Sequence, residues 1–176
     1  LTHFTRTNYE KYKEGLPFIQ KIDSLFKKLI PEAYEKQLER ANQKPLLKIP
    51  ETSFSTITIN RNFRTALHKD AGDLREGFGN LVILEEGKYD GGYLGFPQFK
   101  VAVDPRNGDF LAMDVHEWHC NTDLKEDIED KKFNSSIPEI YRNDKETGTQ
   151  GIDKLFSRVS FVCYLREKLA DCKAKD

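Results

Sequence analysis

Apolar residues recur at helical spacing only near the front of the chain. In PFIQKIDSLFKKLIPEAYEKQLERAN, residues 17–42, Phe18, Ile22, Phe26 and Leu29 form one stripe with charges between them, which predicts helix. Pro31 predicts a kink or a division of that helix. QKPLLKIPE, with two prolines, reads as a connector. From residue 53 the period changes to two. SFSTITINRNF, rich in Thr and Ile, predicts a strand, and GNLVILEEG a second one ending at Gly87. YDGGYLGFPQF predicts a hairpin or bulged turn into a third. KVAVDPRNGDFLAMDVHEW predicts two short strands around a Pro-Arg-Asn-Gly turn, and SRVSFVCYLREK a last strand. Residues 62–73, NFRTALHKDAGD, read as a further buried strand interrupted by a His and two Asp.

Helices followed by many short strands predict an α+β fold: a double-stranded β-helix, or jelly roll, with N-terminal supporting helices. The division expected is one domain over residues 1–176. Residues 1–50 are helical support and a possible substrate-contact segment, and residues 53–167 are the jelly-roll core. Residues 123–151 show no periodicity and read as a long acidic loop before the last strand, either a lid or disordered.

At 38% hydrophobic and 32% charged, 176 residues suffice for a packed core and are not those of a disordered chain. No apolar run approaches the roughly 20 residues of a membrane span. Residues 1–15 are polar, with no leader pattern, and the chain does not begin with Met, as a trimmed chain would not. Cys120, Cys163 and Cys172 form no CxxC and read as inert core residues of a reducing, intracellular compartment. The net charge of −1 hides an asymmetry: residues 1–69 carry 13 Lys and Arg against 7 Asp and Glu, the remainder 15 against 22. A basic front half suits a polyanion or a solvated helix surface.

The chemistry rests on few residues. On a strand, His68 and Asp70 share a face and Lys69 points away. One His and one carboxylate supply two ligands of a facial triad, the arrangement of non-haem Fe(II) oxygenases, and a distant His would supply the third. An H-x-D alone is a weak signal, because any core His can hydrogen-bond a nearby Asp. GDFLAMDVHEWHCNT offers His116 and His119 about 50 residues downstream; His116 would share a strand face with Asp114 and Trp118. In the last strand, alternation puts Arg158, Ser160, Val162, Tyr164 and Arg166 on one face, and leaves Val159, Phe161, Cys163 and Leu165 on an apolar face expected to pack. A strand-borne Arg offers a planar fork for a carboxylate.

NRNFRTALHKDAGD, GDFLAMDVHEWHCNT and RVSFVCYLR together resemble the TET/JBP family of Fe(II)- and 2-oxoglutarate-dependent dioxygenases, which oxidise the 5-methyl group of pyrimidines in DNA. The resemblance runs from about residue 53 to 167 and rests on H-x-D-x-x-D, the spacing to a second His, and R-x-S-x-x-x-Y. It implies that His68, Asp70 and His119 hold iron, His119 being followed by Cys-Asn-Thr as the family's distal His is by a small residue and Thr, with His116 the rival ligand. It implies that Arg158 binds the distal carboxylate of 2-oxoglutarate, and Asn60 and Ser160 join it as cosubstrate candidates; Asn62 could serve the cosubstrate or the backbone. On the substrate side it points to Asp73 at the base edge, Tyr164 stacking on the base, and Arg166 where animal-type cytosine oxidisers carry His. Arg6 and Asn8, in FTRTN, are further substrate candidates. Arg166 donates only and suits a pyrimidine carbonyl.

The resemblance implies hydroxylation of a base flipped out of double-stranded DNA, with Fe(II), 2-oxoglutarate and O2. A monomer away from membranes is expected. The expected location is the nucleus of a eukaryote or the host cytoplasm of a viral or bacterial protein. The expected reaction is 5-methylcytosine to 5-hydroxymethylcytosine. The alternatives are thymine to 5-hydroxymethyluracil, the same chemistry on a non-DNA substrate, and last a non-catalytic jelly-roll binding module.

Overall fold

The computed structural model describes residues 2–138 and 154–170. In chain order the elements are α1 (His3–Thr7), α2 (Tyr9–Leu29), α3 (Pro31–Asn42), β1 (Thr56–Arg61), β2 (Gly79–Glu86), β3 (Asp90–Gly91), β4 (Leu94–Phe96), β5 (Val101–Val103), β6 (Phe110–Met113), β7 (Cys120–Asn121), β8 (Leu124–Lys125), α4 (Ile128–Asn134), β9 (Ser157–Tyr164) and α5 (Glu167–Ala170). They group into two compact units: residues 1–57, 72–78 and 163–176, and residues 58–71 and 79–162.

The first unit is built on the helices. Pro31 divides them as expected: it stands at the first position of α3, where its missing N–H costs nothing and its fixed φ suits a helix start. α2 starts earlier than expected, at Tyr9, and runs through Pro17; residues 9–16 hold too few apolar positions to show a stripe. Its buried stripe is Ile19, Ile22, Asp23 and Phe26, whereas Leu29, the last residue of the helix, is exposed. Phe26 packs edge-on against Tyr34 at 5.6 Å and stacks on Phe54 at 6.3 Å. Two buried polar side chains pin the connector to the helices. Asp23 accepts bonds from the Ser53 backbone N–H and hydroxyl, each 2.7 Å, and from the Tyr34 hydroxyl at 3.1 Å. Gln37 donates to the Ser53 carbonyl and accepts from the Phe78 N–H. Cys163 lies fully buried here, and that burial, with the Asp23 charge second, pushes its thiol up to about 12.

The second unit carries the sheets: a four-stranded sheet in the order β1-β9-β2-β6, a three-stranded sheet β5-β4-β7, and a two-stranded ribbon β3-β8. β2 reads as a continuous apolar run because it is an inner strand covered on both faces, buried from Gly79 to Ile83. Leu81 and Ile83 of one sheet meet Leu94 and Phe96 of the other, with Leu111, Met113 and Val162 around them. This is the two-sheet packing of a jelly roll. The two strands flanking the Pro-Arg-Asn-Gly turn join different sheets, β5 pairing with β4 and β6 with β2.

Residues 62–73 are not the buried strand expected. Asn62 turns the chain out of β1 with φ of 47°, Phe63 and Leu67 are exposed, and one bridge, His68 to His119, is all the strand pairing the segment makes in this unit. Nor do Asp114, His116 and Trp118 share a strand face: β6 ends at Met113, and the Asp114 carboxylate accepts the His116 N–H in a tight turn. Within residues 123–151, the described part is ordered rather than loop. β8 pairs with β3, and α4 opens on a reciprocal cap in which Asp127 and Asp130 accept each other's backbone N–H. Residues 139–151 and Cys172 lie outside the described residues.

Candidate metal and cosubstrate site

The metal candidate is made by two short backbone segments held together by their own hydrogen bonds. His68 and His119 exchange both backbone bonds at 3.0 Å, so their side chains lie side by side, with ring centroids 4.2 Å apart. The Asp70 N–H donates to the Val115 carbonyl, and the Asn121 N–H to the Thr65 carbonyl. Val115 in turn is buried over Gly79, where a Cβ would stand 2.3 Å from its Cγ1, so the glycine permits the approach that fixes Asp70.

The ligand atoms of His68, Asp70 and His119 all lie within 4.8 Å of one another. Asp70 Oδ1 is 3.4 Å from His68 Nε2, and Oδ2 is 3.9 Å from His119 Nε2. The other ring nitrogens decide what these atoms are. His68 Nδ1 sits 2.8 Å from the Ala66 carbonyl and His119 Nδ1 2.8 Å from the Glu117 carbonyl. A carbonyl only accepts, so each Nδ1 carries a proton, and in the neutral imidazole each Nε2 then presents its lone pair. Two lone pairs and a carboxylate converging on one point repel unless a cation lies between them, and three N/O donors on one face suit an octahedral ion such as Fe(II). His119 is buried and Phe96 stands beside it at 6.4 Å; His68 and Asp70 are part-exposed, which leaves a side open. His116 is not a member of this group.

Arg158 is the second feature. Its side chain is 4% exposed, and no carboxylate pairs with it among the described residues. Its Nε has no hydrogen-bond partner, and Nη2 reaches only the Gly92 carbonyl, at a long 3.4 Å. A buried guanidinium without a counter-ion is costly, and a dicarboxylate would answer both the charge and the unmet donor. Ser160, two residues on, is also buried, and Asn60 lies half-buried on β1, the neighbouring strand. Asn62 proves to serve the backbone. Its N–H and side-chain oxygen bond the Arg158 carbonyl and N–H, and its amide donates to the Phe156 carbonyl. The β9 expectation is therefore reversed at its start: the polar face, Arg158 and Ser160, is the buried one, and Val159 and Phe161 are only part-buried. Inward burial passes to Cys163 and Leu165 further along.

The substrate candidates lie in the first unit. Asp73 is buried and pairs with Arg166 through a single backbone bridge; Arg166 is exposed, and its N–H donates to the Ser55 hydroxyl. Tyr164 is half-buried, its carbonyl accepting the Ser55 N–H. Arg6, in α1, is exposed, and the Asn8 amide donates to the Thr7 hydroxyl. Gly92, which lies against Arg158, was hidden in the sequence; the Gly-Gly pair after a turn was the signal available.

A jelly roll that gathers two histidines and an aspartate in this way defines a non-haem oxygenase domain. The chain belongs to the Tet_JBP family, the oxygenase domain of the 2OGFeDO superfamily, which matches residues 2–167. That superfamily implies Fe(II) and 2-oxoglutarate. Among similar proteins, the bifunctional helicase and thymine dioxygenase JBP2 of Leishmania major is 33% identical over 168 residues, covering 96% of this chain and 13% of the relative. Thymine dioxygenase JBP1-B of Trypanosoma cruzi (strain CL Brener) is 31% identical over 170 residues, 97% of this chain and 17% of the relative. The chain thus spans less than a fifth of these relatives' length. The solved structure of NgTET1 in complex with 5mC DNA shares the fold, with a TM-score of 0.63 at 13% identity over 95% of this chain and 55% of that one.

Proposed function

We propose that this chain hydroxylates the 5-methyl group of a pyrimidine in DNA, using Fe(II), 2-oxoglutarate and O2. The observation that carries the reading is the convergence of His68 Nε2, His119 Nε2 and the Asp70 carboxylate, with both histidine tautomers fixed. His68, Asp70 and His119 would hold the metal. Arg158 would hold the far carboxylate of 2-oxoglutarate, with Ser160 and Asn60 beside it. When bound, the metal and cosubstrate supply the oxidising power that reaches an unactivated methyl C–H; the chain itself supplies position. The Ala66 and Glu117 carbonyls hold the Nδ1 edge of each ring and so keep both Nε2 atoms aimed at the same point. His119 and Arg158 are themselves buried, whereas His68 and Asp70 face the open side.

Asp73, Tyr164 and Arg166, with Arg6 and Asn8, would contact the substrate, a base flipped from duplex DNA. The named relatives, thymine dioxygenases at 31–33% identity, support thymine as the base, against the 5-methylcytosine expected from the sequence. Arg166 does not itself separate the two bases, since thymine and 5-methylcytosine both carry the O2 carbonyl that a guanidinium could meet. Action on DNA points to the nucleus of a eukaryotic cell. Among the described residues no helix is long and apolar enough to cross a membrane.

The test is nucleoside mass spectrometry after incubation with Fe(II), 2-oxoglutarate and DNA containing thymine and 5-methylcytosine, with His68→Ala as control. Hydroxymethyluracil absent from the control supports the reading, and hydroxymethylcytosine would move it to cytosine. 2-Oxoglutarate consumed with both bases unchanged would remove DNA from it.

A further inference from the structure

Gly92 lies directly on the guanidinium of Arg158. Its carbonyl is the only acceptor the Arg158 side chain reaches among the described residues, and a Cβ built on it would stand 3.3 Å from Arg158 Nε and 3.6 Å from Cδ. The same Cβ would stand 2.7 Å from Leu124 Cδ2. The residue also holds φ of 74°, which glycine adopts freely and L residues rarely do. Arg158 is thus gripped from two sides. Asn62 fixes its backbone, and Gly92 closes over the flank of its side chain.

From this contact we infer that Gly92 is a positioning residue for the cosubstrate: its missing side chain sets the direction in which Arg158 presents its fork. The inference rests on the reading that Arg158 binds 2-oxoglutarate. A Cβ at position 92 would press on Arg158 at Nε and Cδ, which must give way by about a few tenths of an ångström, and would turn a fork whose bond depends on two parallel N–H groups meeting two oxygens. The metal ligands His68, Asp70 and His119 lie on other segments and make no contact with the Gly92 Cβ position, so the effect is expected on cosubstrate and not on metal.

The experiment is calorimetric titration of 2-oxoglutarate into the Mn(II)-loaded protein, with Mn(II) affinity measured alongside. Gly92→Ala is expected to weaken 2-oxoglutarate roughly tenfold or more and to leave Mn(II) affinity unchanged. Because φ is positive and Leu124 is close, this variant can lose fold, so the pair Gly92→Ala with Leu124→Ala is titrated as well. That pair removes the crowding at Leu124 but keeps the contact with Arg158, and it should stay weak for 2-oxoglutarate. Wild-type affinity in either variant overturns the inference. So does failure of both to fold, since the glycine would then serve the fold and not the arginine's direction. Arg158→Ala separates the two levels: if it binds 2-oxoglutarate as the wild type does, the assignment of Arg158 itself falls, whereas if it alone is weak, only the role of Gly92 falls.

Discussion

Asn62 and Arg158 are joined by two reciprocal hydrogen bonds, the Asn62 N–H to the Arg158 carbonyl at 2.8 Å and the Arg158 N–H to Asn62 Oδ1 at 2.7 Å. The side-chain oxygen stands in for the carbonyl that a continuing strand would offer. It does so because Asn62, at φ of 47°, is already leaving β1 toward His68. One residue thus ends a strand, starts the segment that carries two candidate metal ligands, and fixes the backbone of the candidate cosubstrate arginine.

Replacing Asn62 should separate these roles. Asn62→Gly keeps the backbone conformation and loses the side-chain bonds, at about 1–2 kcal/mol of stability. Asn62→Ala adds the strain of a positive φ and should cost about 1 kcal/mol more. Urea denaturation of the two variants against wild type measures both. Equal losses would show that the left-handed turn carries no strain.

His68→Ala and His119→Ala should each weaken Mn(II) binding beyond the ten- to hundredfold that loss of an outer partner of a ligand typically costs. His116→Ala should change it little, because His116 is not in the ligand group. Titration followed by calorimetry or manganese electron spin resonance reads the difference. A His116 effect equal to that of His119 would reassign the third ligand.

Much of this was legible in the sequence, and the failures have physical causes. The change of period at residue 53 marks where helices yield to strands, and Pro31 marks the division of α2 from α3. H-x-D survived although its strand did not, because one bridge to His119 is enough to keep His68 extended and Asp70 alongside. That bridge joins residues about 50 apart and leaves no local trace. At β9 the alternation rule failed for another reason. Apolar residues normally mark the inward face, but here the inward face holds Arg158 and Ser160. Local rules commonly give way at functional sites, and Arg158 and Ser160 are the cosubstrate candidates. The capping residues Asp127 and Asp130 were readable and would have revealed α4 within an otherwise polar stretch.

Alkaline pH should destabilise the first unit. Burial pushes the Cys163 thiol from 9.0 up to about 12, and burial together with the Asp23 charge pushes the Tyr34 hydroxyl from 10.0 up to about 12. Folded, both groups keep their protons in this range; unfolded, they release them. The unfolded state therefore binds fewer protons, and stability falls as pH climbs from about 9 to about 12. Denaturation midpoints across that window should decline, and Cys163→Ser should flatten part of the slope. At pH 8, Cys163 should resist alkylation until the protein is unfolded.

Asp23 offers the sharpest test of how the first unit is held. Its carboxylate is buried yet satisfied, taking the Ser53 N–H, the Ser53 hydroxyl and the Tyr34 hydroxyl. Asp23→Ala leaves all three donors facing a void and should cost about 2–4 kcal/mol. Asp23→Asn keeps one carbonyl-type oxygen and should cost about half as much, provided that oxygen turns toward Ser53. Neither change touches the metal ligands, which lie in the other unit. Mn(II) affinity measured well below the denaturation midpoint should stay at the wild-type value in both. A weakened metal site in folded Asp23→Asn would mean that the connector at Ser53 transmits order to the ligands, a coupling this arrangement of bonds does not call for.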